Sequence, residues 1–401
     1  MKTLFSLGEI YPSDFLKEGE KPETEKVELK LIMNDNGLVR LEKIAPMNQM
    51  YWKYWYRSGI NTTMREALKD IVDSILRIQK TEQDNVWLDI ACNDGTLLSF
   101  VPKEFIRIGI DPADNSFKYE SELHAHHIIQ DYFSKEVYQK KLGNKKVKII
   151  TSIAMFYDVS EPKQFIKDIY DILEDDGIWV MQLSYSPLMI RQMAFDNICH
   201  EHIYYYSFLN LEKLLNDNGF LICNVELNNV NGGSFRLYIR KTEYFLLKNQ
   251  TDIEWFNINS FRNFENTLEI DNPTTWIKWF EKIEWLKNEI IKFIQVCKSE
   301  NKIIWGYGAS TKGNTLLQYF GLDNTLIDAI ADRNPSKHGL YTIGSNIPIN
   351  SEEEMRQVQP DYLLILPWHF KQEFIEREKK YLQKGGKMIF PCPEFLIYSH
   401  E

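Results

Sequence analysis

The chain has 401 residues, of which 44% are hydrophobic and 26% are charged, and its formal net charge is −10. This balance is typical of a globular protein with a substantial core, and the length predicts two or three domains. The negative charge argues against broad electrostatic binding to nucleic acid or to an anionic membrane. It does not exclude an anionic small molecule, because local basic groups can hold one.

The cysteines are scattered, odd in number and never spaced as CxxC. They are Cys92, Cys199, Cys223, Cys297 and Cys392. This pattern predicts reduced thiols and argues against a disulfide framework or a zinc knot. The N-terminal segment lacks the apolar run of a signal peptide, and no stretch approaches the roughly 18 apolar residues of a membrane-spanning helix. We therefore expect a soluble protein of the cytoplasm.

The first 60 residues mix short apolar runs, such as residues 27–33, with a polar break at residues 34–37. This predicts a small N-terminal unit that contains strands. In residues 64–78 the apolar side chains recur three and four positions apart, which predicts an amphipathic helix.

Short apolar runs then alternate with helical patterns, which predicts an α/β fold with a doubly wound parallel sheet. The predicted strands are residues 86–91, 106–111, 146–156, 178–184 and 235–240, and the predicted helices are residues 163–173, which the acidic run at 174–177 ends, and 211–220.

The polar, asparagine-rich residues 245–275 predict a connector, and a long helix is expected over 274–300. A second α/β unit begins at residue 302. These patterns predict a small N-terminal domain, a central Rossmann-like domain, and a helix followed by a C-terminal Rossmann-like domain. Their predicted bounds are residues 1–62, 63–245 and 246–401.

The segment LDIACNDGTLL, residues 88–98, predicts a nucleotide site. A strand ending at Asp89, a turn containing Gly95 and the start of a helix would place backbone N–H groups beside a ligand. Asp111 closes the next strand, 22 residues after Asp89. An acid there can accept hydrogen bonds from both ribose hydroxyls at the switch point of a doubly wound sheet. The alternative is that the two acids only cap turns, but their occurrence at successive strand ends favours ligand binding.

The turn argues against a dinucleotide, because it has one glycine where GxGxxG would have three. Asn93 and Asp94 place polar and acidic groups where a pyrophosphate would lie. S-adenosylmethionine, which carries a sulfonium and no phosphate, fits better. After the third strand, Asp131 is positioned to meet the adenine amine. The predicted cofactor residues are Asp89, Ala91, Asn93, Asp94, Gly95, Asp111, Asp131 and Phe133.

The segment FDNICHEHIYYYS, residues 195–207, places Glu201 between His200 and His202. Two histidines and one acid lack a third ligand at recognisable spacing, which argues against a metal site. If the segment is extended, both histidines point to the same side and can reach one pocket. Buried structural histidines are the alternative, and the three tyrosines predict packing.

The chain resembles the sugar-nucleotide C-methyltransferases of deoxysugar biosynthesis, which methylate a ring carbon of a keto sugar. The resemblance covers nearly the whole chain, and its most specific parts are HEH and GYGASTKGNTLL. The segments that carry it are YRSGINTTM (56–64), LDIACNDGTLL (88–98), IAMFYDV (153–159), FDNICHEHIYYYS (195–207), NGGSFRLYI (231–239), WGYGASTKGNTLL (305–317), DRNPSKHG (332–339) and LPWHF (366–370).

The resemblance implies an N-terminal zinc module, a central methyltransferase domain and a C-terminal domain that helps to hold the sugar nucleotide. The zinc module carries two cysteine pairs in the family. Here Met33 and Asn36 stand at the positions of the second pair, and the first pair would precede the chain. Neutral Met and Asn cannot replace thiolates on zinc, so we expect a degenerate module without structural zinc.

The resemblance also implies catalytic roles. His202 falls on the proposed base that removes the proton beside the ketone, and histidine suits that task near neutral pH. His200 and Glu201 would orient His202 or meet the sugar, and Tyr56 could stabilise the developing oxyanion. Cys199 stands where the family often has a tyrosine, which leaves the role of that hydroxyl open.

Several residues are candidates for holding the substrate. Arg236 follows two glycines and could pair with a phosphate, and the alternative is a hairpin turn with a surface arginine. Lys312 would supply a point charge in a turn that resembles a phosphate cradle, but without the Walker spacing of an NTPase. The full predicted set is Gln182, Ser184, Tyr185, Cys199, Arg236, Lys312 and Asn314.

The expected activity is methyl transfer from S-adenosylmethionine to a ring carbon of a nucleotide-diphosphate keto-deoxysugar, through an enolate. No nucleic acid, membrane or zinc partner is expected. One alternative is an O-methyltransferase in which the same histidine deprotonates a hydroxyl of a sugar nucleotide or glycan precursor. The other is a non-catalytic sugar-nucleotide-binding protein, an interpretation to which the missing zinc ligands lend some weight.

Overall fold

The computed structural model describes residues 1–46, 55–245 and 250–400. The chain divides into two compact units. The first unit comprises residues 1–45, 188–202 and 271–401, and the second comprises residues 46–187 and 203–270. The predicted domain bounds at residues 62 and 245 stay a prediction.

The elements up to residue 245 alternate between strands and helices over most of their length. They are β1 (Lys2–Ile10), β2 (Phe15–Leu16), β3 (Val27–Met33), β4 (Val39–Leu41), α1 (Thr62–Ile78), β5 (Val86–Ile90), α2 (Thr96–Phe100), β6 (Ile106–Ile110), α3 (Asn115–Glu122), β7 (His127–Ile129), α4 (Lys135–Leu142), β8 (Val147–Ile153), α5 (Pro162–Ile172), β9 (Leu173–Ser184), α6 (Ser186–Arg191), β10 (Tyr204–Tyr205), α7 (Phe208–Asn216), β11 (Phe220–Asn228), β12 (Ser234–Lys241) and α8 (Thr242–Phe245).

The remaining elements begin with two long helices and continue with a second alternation. They are α9 (Asp252–Leu268), α10 (Pro273–Ser299), β13 (Ile304–Tyr307), α11 (Thr311–Phe320), β14 (Ala329–Asp332), β15 (Tyr341–Thr342), β16 (Ile349–Ser351), α12 (Glu352–Val358), β17 (Tyr362–Ile365), α13 (Lys371–Arg377), α14 (Lys379–Gln383), β18 (Lys387–Phe390) and β19 (Leu396–Ser399).

The second unit is built on a seven-stranded sheet of order β11-β12-β9-β8-β5-β6-β7. Strands β5 to β9 pair in parallel, whereas β11 and β12 are antiparallel. The predicted doubly wound α/β fold is therefore confirmed. The strand order reverses beside β5, so the carboxyl ends of β5, β6 and β8 border the switch point where ligands bind in such sheets.

Helix α1 packs its apolar stripe into the core of the second unit. Leu68, Ile71, Val72 and Ile75 are buried there together with Trp87. The helix begins after Asn61, whose side-chain oxygen accepts a hydrogen bond from a backbone N–H of the first turn. The spacing of three and four that predicted this helix is thus the spacing of its buried face.

The first unit contains an N-terminal antiparallel sheet, in which β1 pairs with β3 and β3 pairs with β4. It also contains a six-stranded sheet of order β16-β14-β13-β17-β18-β19, parallel except for β19. The predicted strand-containing N-terminal region and the C-terminal Rossmann-like region are both present. Phe5 of β1 stacks on Phe280 of α10, with ring centroids 4.3 Å apart.

The predicted connector over residues 245–275 is wrong where the structure describes it, because residues 252–268 form α9. Thr251 and Glu254 make a reciprocal capping box at its start. Ile258, Phe261 and Glu265 are buried along one face. The asparagine-rich composition concealed this helix, because capping and a sparse buried face outweigh low intrinsic propensity.

The strand that follows α5 begins earlier than the predicted residue 178, because β9 starts at Leu173 and runs through the acidic residues 174–177. Lys148 on the neighbouring strand β8 forms ion pairs with Glu174 at 3.1 Å and with Asp176 at 2.6 Å. The acids that resemble a helix stop signal are therefore held in the strand by a contact that is distant in sequence.

The positions of the family's second cysteine pair lie at the β3–β4 turn. Met33 is only 3% exposed, and the side chain of Asn36 is exposed in the turn. Among the described residues, no three or more His, Cys, Asp or Glu side chains are grouped to hold a metal ion. The absence of structural zinc stays a prediction. In the same part of the chain, no helix combines the length and apolar character needed to cross a membrane.

Candidate functional site

A cavity of about 520 Å³ opens in the second unit, at the carboxyl ends of β5, β6 and β8. Its volume lies within the range of roughly 300–1,000 Å³ that is typical of small-molecule sites. Six of the eight predicted cofactor residues line it, which are Asp89, Ala91, Asn93, Asp111, Asp131 and Phe133. Tyr56 also lies in the wall, with 43% of its surface exposed.

The turn after β5 is shaped by left-handed backbone conformations. Ala91, Asn93 and Gly95 have φ values of 58°, 52° and 77°. A Cβ atom on Gly95 would lie 2.7 Å from the Cα atom of Ser121, so that only glycine fits there. The positive φ of Ala91 costs on the order of 1 kcal/mol, so the surrounding structure must hold this backbone conformation in place.

Two acids stand at the ends of β5 and β6. Asp111 accepts hydrogen bonds from the N–H groups of Asn93 at 2.7 Å and Ala113 at 2.8 Å. Asp89 accepts one from the hydroxyl of Thr151 at 2.7 Å. Burial raises the pKa of both carboxyls. The pKa of Asp89 reaches about 7, because burial and the charge of Asp111 outweigh the hydrogen bond from Thr151, which lowers it.

Asp94 has internal partners. Its Oδ1 accepts from the N–H of Thr96 at 3.1 Å, and its Oδ2 accepts from the N–H of Gly59 at 2.7 Å. The structure therefore gives Asp94 and Gly95 a role in building the turn, and their direct contact with a cofactor stays a prediction.

The described charged residues in the wall of the cavity are all acidic. No lysine or arginine belongs to it within the described part of the chain, whereas its carboxylates are Asp89, Asp111, Asp131, Asp158, Glu161 and Asp168. Such a wall repels a pyrophosphate and attracts a sulfonium or an ammonium group. The residues present thus fit S-adenosylmethionine, and they do not fit a dinucleotide.

Sequence reasoning missed the part of the wall contributed by the end of β8. Ala154, with a φ of 55°, and Met155 line the cavity, as do Ser160 and Gln164 farther along. Their place in the sheet could have predicted them, because β8 borders the switch point and residues after its carboxyl end lie beside the ligand site of such folds.

The HEH segment lies in the first unit, after a short 3-10 turn over Phe195–Asn197. Nδ1 of His202 is 2.8 Å from the carbonyl oxygen of Asn197. Since a carbonyl oxygen only accepts, Nδ1 carries the proton and Nε2 is the basic nitrogen. Burial and the repulsion of Lys312 lower the pKa of His202 to about 3, against the hydrogen bond to Asn197. The imidazole is therefore neutral at pH 7.

His200 has a different environment. It is 3% exposed, and its Nε2 is 2.9 Å from the carbonyl oxygen of Val27, the first residue of β3. Burial lowers its pKa to about 4. The segment is not extended, because the N–H of His202 donates to the carbonyl of Cys199 at 3.2 Å and closes a turn. The hydrogen bond to Val27 anchors His200 to the N-terminal sheet.

Glu201 and Lys312 complete an ionisable cluster in this unit. The thiol of Cys199 lies 3.6 Å from Oε2 of Glu201, and burial raises the pKa of Glu201 to about 7 although Cys199 and Lys312 oppose the shift. Burial lowers the pKa of Lys312, while Asp196, Cys199 and Glu201 act in the other direction. The cluster therefore holds one lysine among acids and imidazoles.

The segment LPWHF joins the same cluster. Nε1 of Trp368 donates to Oδ2 of Asp196 at 2.9 Å. Burial and the charge of Lys312 hold the pKa of His369 well below its usual value. Three segments that carried the resemblance, HEH, GYGASTKGN and LPWHF, are thus brought together.

The turn after β13 is filled by the protein's own groups. The N–H of Ala309 donates to Oδ2 of Asp332 at 2.7 Å, and Nζ of Lys337 donates to the carbonyl of Ala309 at 2.7 Å. Nδ2 of Asn314 donates to the hydroxyl of Ser13 at 2.8 Å. These contacts favour a structural role for Asn314 and leave Lys312 as the substrate-binding candidate of this turn.

Arg236 is buried in the second unit, so the alternative of a surface arginine is wrong. It is 4% exposed, donates through Nε to Gln182 at 3.0 Å, and pairs with Asp70 at 2.9 Å. These partners favour a structural role for Arg236 and Gln182, and phosphate binding by Arg236 stays a prediction.

The other two predicted sugar-facing residues lie at and just beyond the end of β9. Tyr185 is fully buried, with its ring centroid 4.6 Å from that of Phe235. Burial and the carboxylate of Glu265 raise its pKa. Ser184 is partly exposed and ends the strand. Packing accounts for Tyr185, and the sugar contacts of both residues stay predictions.

Two domain families and one relative match this chain. Residues 60–225 match the methyltransferase domain family, and residues 229–393 match the C-methyltransferase C-terminal domain family. The C-methyltransferase NovU of Streptomyces niveus is 25% identical over 367 residues, which are 91% of this chain and 86% of that protein.

Solved methyltransferase structures are also similar to part of the chain. Magnesium protoporphyrin IX methyltransferase (ChlM) from Synechocystis PCC 6803 is 12% identical, with a TM-score of 0.34, over 44% of this chain and 79% of that chain. The plantazolicin methyltransferase BpumL is 12% identical, with a TM-score of 0.34, over 45% of this chain and 84% of that chain.

The two domain families follow one another along the chain, and the NovU match spans both. The acidic cavity at the switch point is the site that the residues offer to S-adenosylmethionine. The chain is similar to proteins in which a methyltransferase domain precedes a C-methyltransferase C-terminal domain, and it is an S-adenosylmethionine-dependent C-methyltransferase.

Proposed function

We propose that this enzyme methylates a ring carbon of a nucleotide-linked keto-deoxysugar through an enolate, with His202 as the base. The observation that carries the proposal is the hydrogen bond from Nδ1 of His202 to the carbonyl of Asn197. It presents Nε2 of a neutral imidazole as the proton acceptor. S-adenosylmethionine, when bound, supplies an electrophilic methyl group.

A carbon beside a ketone becomes nucleophilic only when it loses a proton. A positioned general base contributes roughly 10²–10⁴-fold to such a step. In the protein alone, burial and Lys312 make His202 a weak base. A substrate phosphate that pairs with Lys312 would remove the repulsion and increase the basicity of His202. The proposal therefore assigns Lys312 to the diphosphate.

Loss of the proton places negative charge on the ketone oxygen. Tyr56 is the proposed hydrogen-bond donor to that oxygen, because a phenol placed where charge develops stabilises the transition state. Its partial exposure in the cavity wall supports this role.

The sugar nucleotide as substrate is supported by the sequence resemblance and by the charge of Lys312. A glycan or sugar hydroxyl as the acceptor would also need a base, so the distinction between carbon and oxygen requires chemistry. Only the carbon route exchanges a ring proton with solvent before the methyl group moves.

The test is solvent exchange in D₂O with a panel of nucleotide-linked keto sugars and no methyl donor. We expect the enzyme to place deuterium on one ring carbon of the true substrate, and S-adenosylmethionine to convert that substrate to a product with a new C–CH₃ group by NMR. An O–CH₃ product formed without ring-carbon exchange would reject the proposal. The His202→Asn variant should show neither reaction.

A further inference from the structure

A short segment of the second unit, residues 56–61, crosses the turn that follows β5. We call it the strap. It contains one turn of 3-10 helix, Ser58–Ile60, and leads directly into α1. Tyr56 and Ser58 lie in the wall of the cofactor cavity. The position of the strap therefore determines part of the surface that faces the cofactor.

The strap is held to the β5 turn by backbone contacts with two side chains. The N–H of Ser58 donates to Oδ1 of Asn93 at 3.1 Å, and the N–H of Gly59 donates to Oδ2 of Asp94 at 2.7 Å. Nδ2 of Asn93 donates to the carbonyl of Tyr56 at 3.0 Å. The polar and acidic residues of this turn thus act on the strap.

Hydrophobic burial contributes little to the position of the strap. No residue of its 3-10 turn is buried, and the side chain of Ile60 is 43% exposed. The free energy that keeps the strap in place must therefore come from its polar contacts.

Arg57 provides a second attachment, to helix α3. Its guanidinium contacts the carboxylate of Glu120 at 2.5 Å and the hydroxyl of Ser116 at 2.7 Å. It also lies over the ring of Phe117, 4.1 Å from the centroid. Only 22% of the Arg57 side chain is exposed. A guanidinium that is forked, stacked and largely covered binds more strongly than an ordinary surface ion pair.

Helix α3 follows the strand that ends at Asp111, so Arg57 joins the strap to the element beside the ribose acid. We propose that Arg57 is a positioning residue for methyl transfer, which holds Tyr56 and Ser58 in the cavity wall and so retains bound S-adenosylmethionine. This inference depends on the cofactor alone. It is independent of the sugar substrate and of the role of His202.

The test measures the dissociation rate of S-adenosylmethionine by stopped-flow competition. We expect Arg57→Ala to raise this rate about tenfold, since a charge-assisted contact of this kind holds the strap closed over the ligand. Arg57→Lys should restore part of the retention, because it keeps the charge but loses the fork and the stacking. The melting temperature without cofactor should fall by only a few degrees in Arg57→Ala and in Arg57→Lys, whereas a merely structural role would change stability and leave the dissociation rate at the wild-type value.

Hydrogen exchange at the amides of Ser58 and Gly59 provides a readout that needs no turnover. These amides should exchange about tenfold faster in Arg57→Ala than in the wild type with cofactor bound. Lys69→Ala is the matched control, because it breaks an exposed ion pair with Asp73 on α1. Wild-type dissociation and exchange rates in Arg57→Ala, or equal effects in Lys69→Ala, would overturn the proposal.

Glu120→Gln attacks the same contact from α3 and serves if Arg57→Ala does not fold. It removes the charge and keeps an oxygen acceptor, so its dissociation rate should lie between those of the wild type and Arg57→Ala. A dissociation rate in Glu120→Gln equal to that of the wild type would contradict the role of the ion pair.

Discussion

Nδ1 of His202 and the carbonyl oxygen of Asn197, five residues earlier, are 2.8 Å apart. This hydrogen bond is made within a single turn of chain, so the tautomer of His202 is set locally. A histidine that acts as a base commonly has a hydrogen-bond partner at its other ring nitrogen, and this partner orients the imidazole.

Replacing His202 by Asn should abolish both ring-carbon deuterium exchange and methyl transfer. Cofactor affinity, measured by isothermal titration calorimetry, should remain at the wild-type value, because His202 is not among the residues that line the cavity. His127→Asn, which changes an exposed histidine on β7, is the control. Near-normal turnover in His202→Asn would show that another group is the base.

Replacing Lys312 by Met should raise the pKa of His202. The cation disfavours the imidazolium, so its removal favours protonation. An NMR titration of the His202 ring should show the change, and Lys312→Arg should preserve the wild-type midpoint. A midpoint in Lys312→Met at or below the wild-type value would contradict the electrostatic assignment.

His200 should make the protein less stable as the pH falls below about 6.5. Its pKa is about 4 in the folded state against an ordinary 6.5, so below pH 6.5 the unfolded chain binds a proton that the native state does not. Each pH unit between these values costs about 1.4 kcal/mol of unfolding free energy. Asp89 and Glu201, whose pKa values are raised, act in the opposite sense.

Comparison with His200→Asn isolates this contribution. The unfolding free energy of the wild type minus that of the variant, from urea titrations, should decrease by about 1.4 kcal/mol per pH unit from pH 6.5 to 4. A difference independent of pH would mean that His200 titrates normally in the folded protein.

Replacing Asp111 by Asn should weaken S-adenosylmethionine binding by about tenfold to a hundredfold. The ribose would lose a charged acceptor, and one of the two N–H groups that Asp111 accepts from, those of Asn93 and Ala113, would face the new amide NH₂ instead of an oxygen. Calorimetry measures the affinity, with Glu122→Gln on the exposed face of α3 as the control. Equal affinities in Asp111→Asn and the wild type would remove Asp111 from the site.

Purified protein should contain no stoichiometric zinc and should keep its melting temperature in the presence of a chelator. Leu29, Leu31 and Leu41 are fully buried in or beside the N-terminal sheet, so apolar packing stabilises this region. Elemental analysis measures the metal directly. One tightly held zinc per chain would contradict the prediction.

The sequence predicts correctly those elements in which the spacing of apolar residues matches the face that is buried. The apolar stripe of α1 and the short runs of β5 and β6 appear within about two residues of their predicted bounds. The acids at the ends of β5 and β6 were predicted to lie together for a topological reason, since adjacent parallel strands end at one edge of the sheet.

Other features depend on contacts between distant residues, which local patterns do not report. The side chain of Arg236 lies opposite Gln182 through the pairing of β12 with β9, and its partner Asp70 is 166 residues away in sequence. Asp196 and Trp368 are 172 residues apart. The cluster around Lys312 could be inferred only through the family resemblance, because no spacing in the sequence announces it.

The acidic wall of the cofactor cavity also bears on turnover. The sulfonium of S-adenosylmethionine carries a positive charge, whereas the thioether left after methyl transfer is neutral. The carboxylates therefore attract the charged methyl donor, and this electrostatic attraction is lost when the methyl group has been transferred. The same carboxylates therefore favour binding of the charged donor over binding of the neutral product.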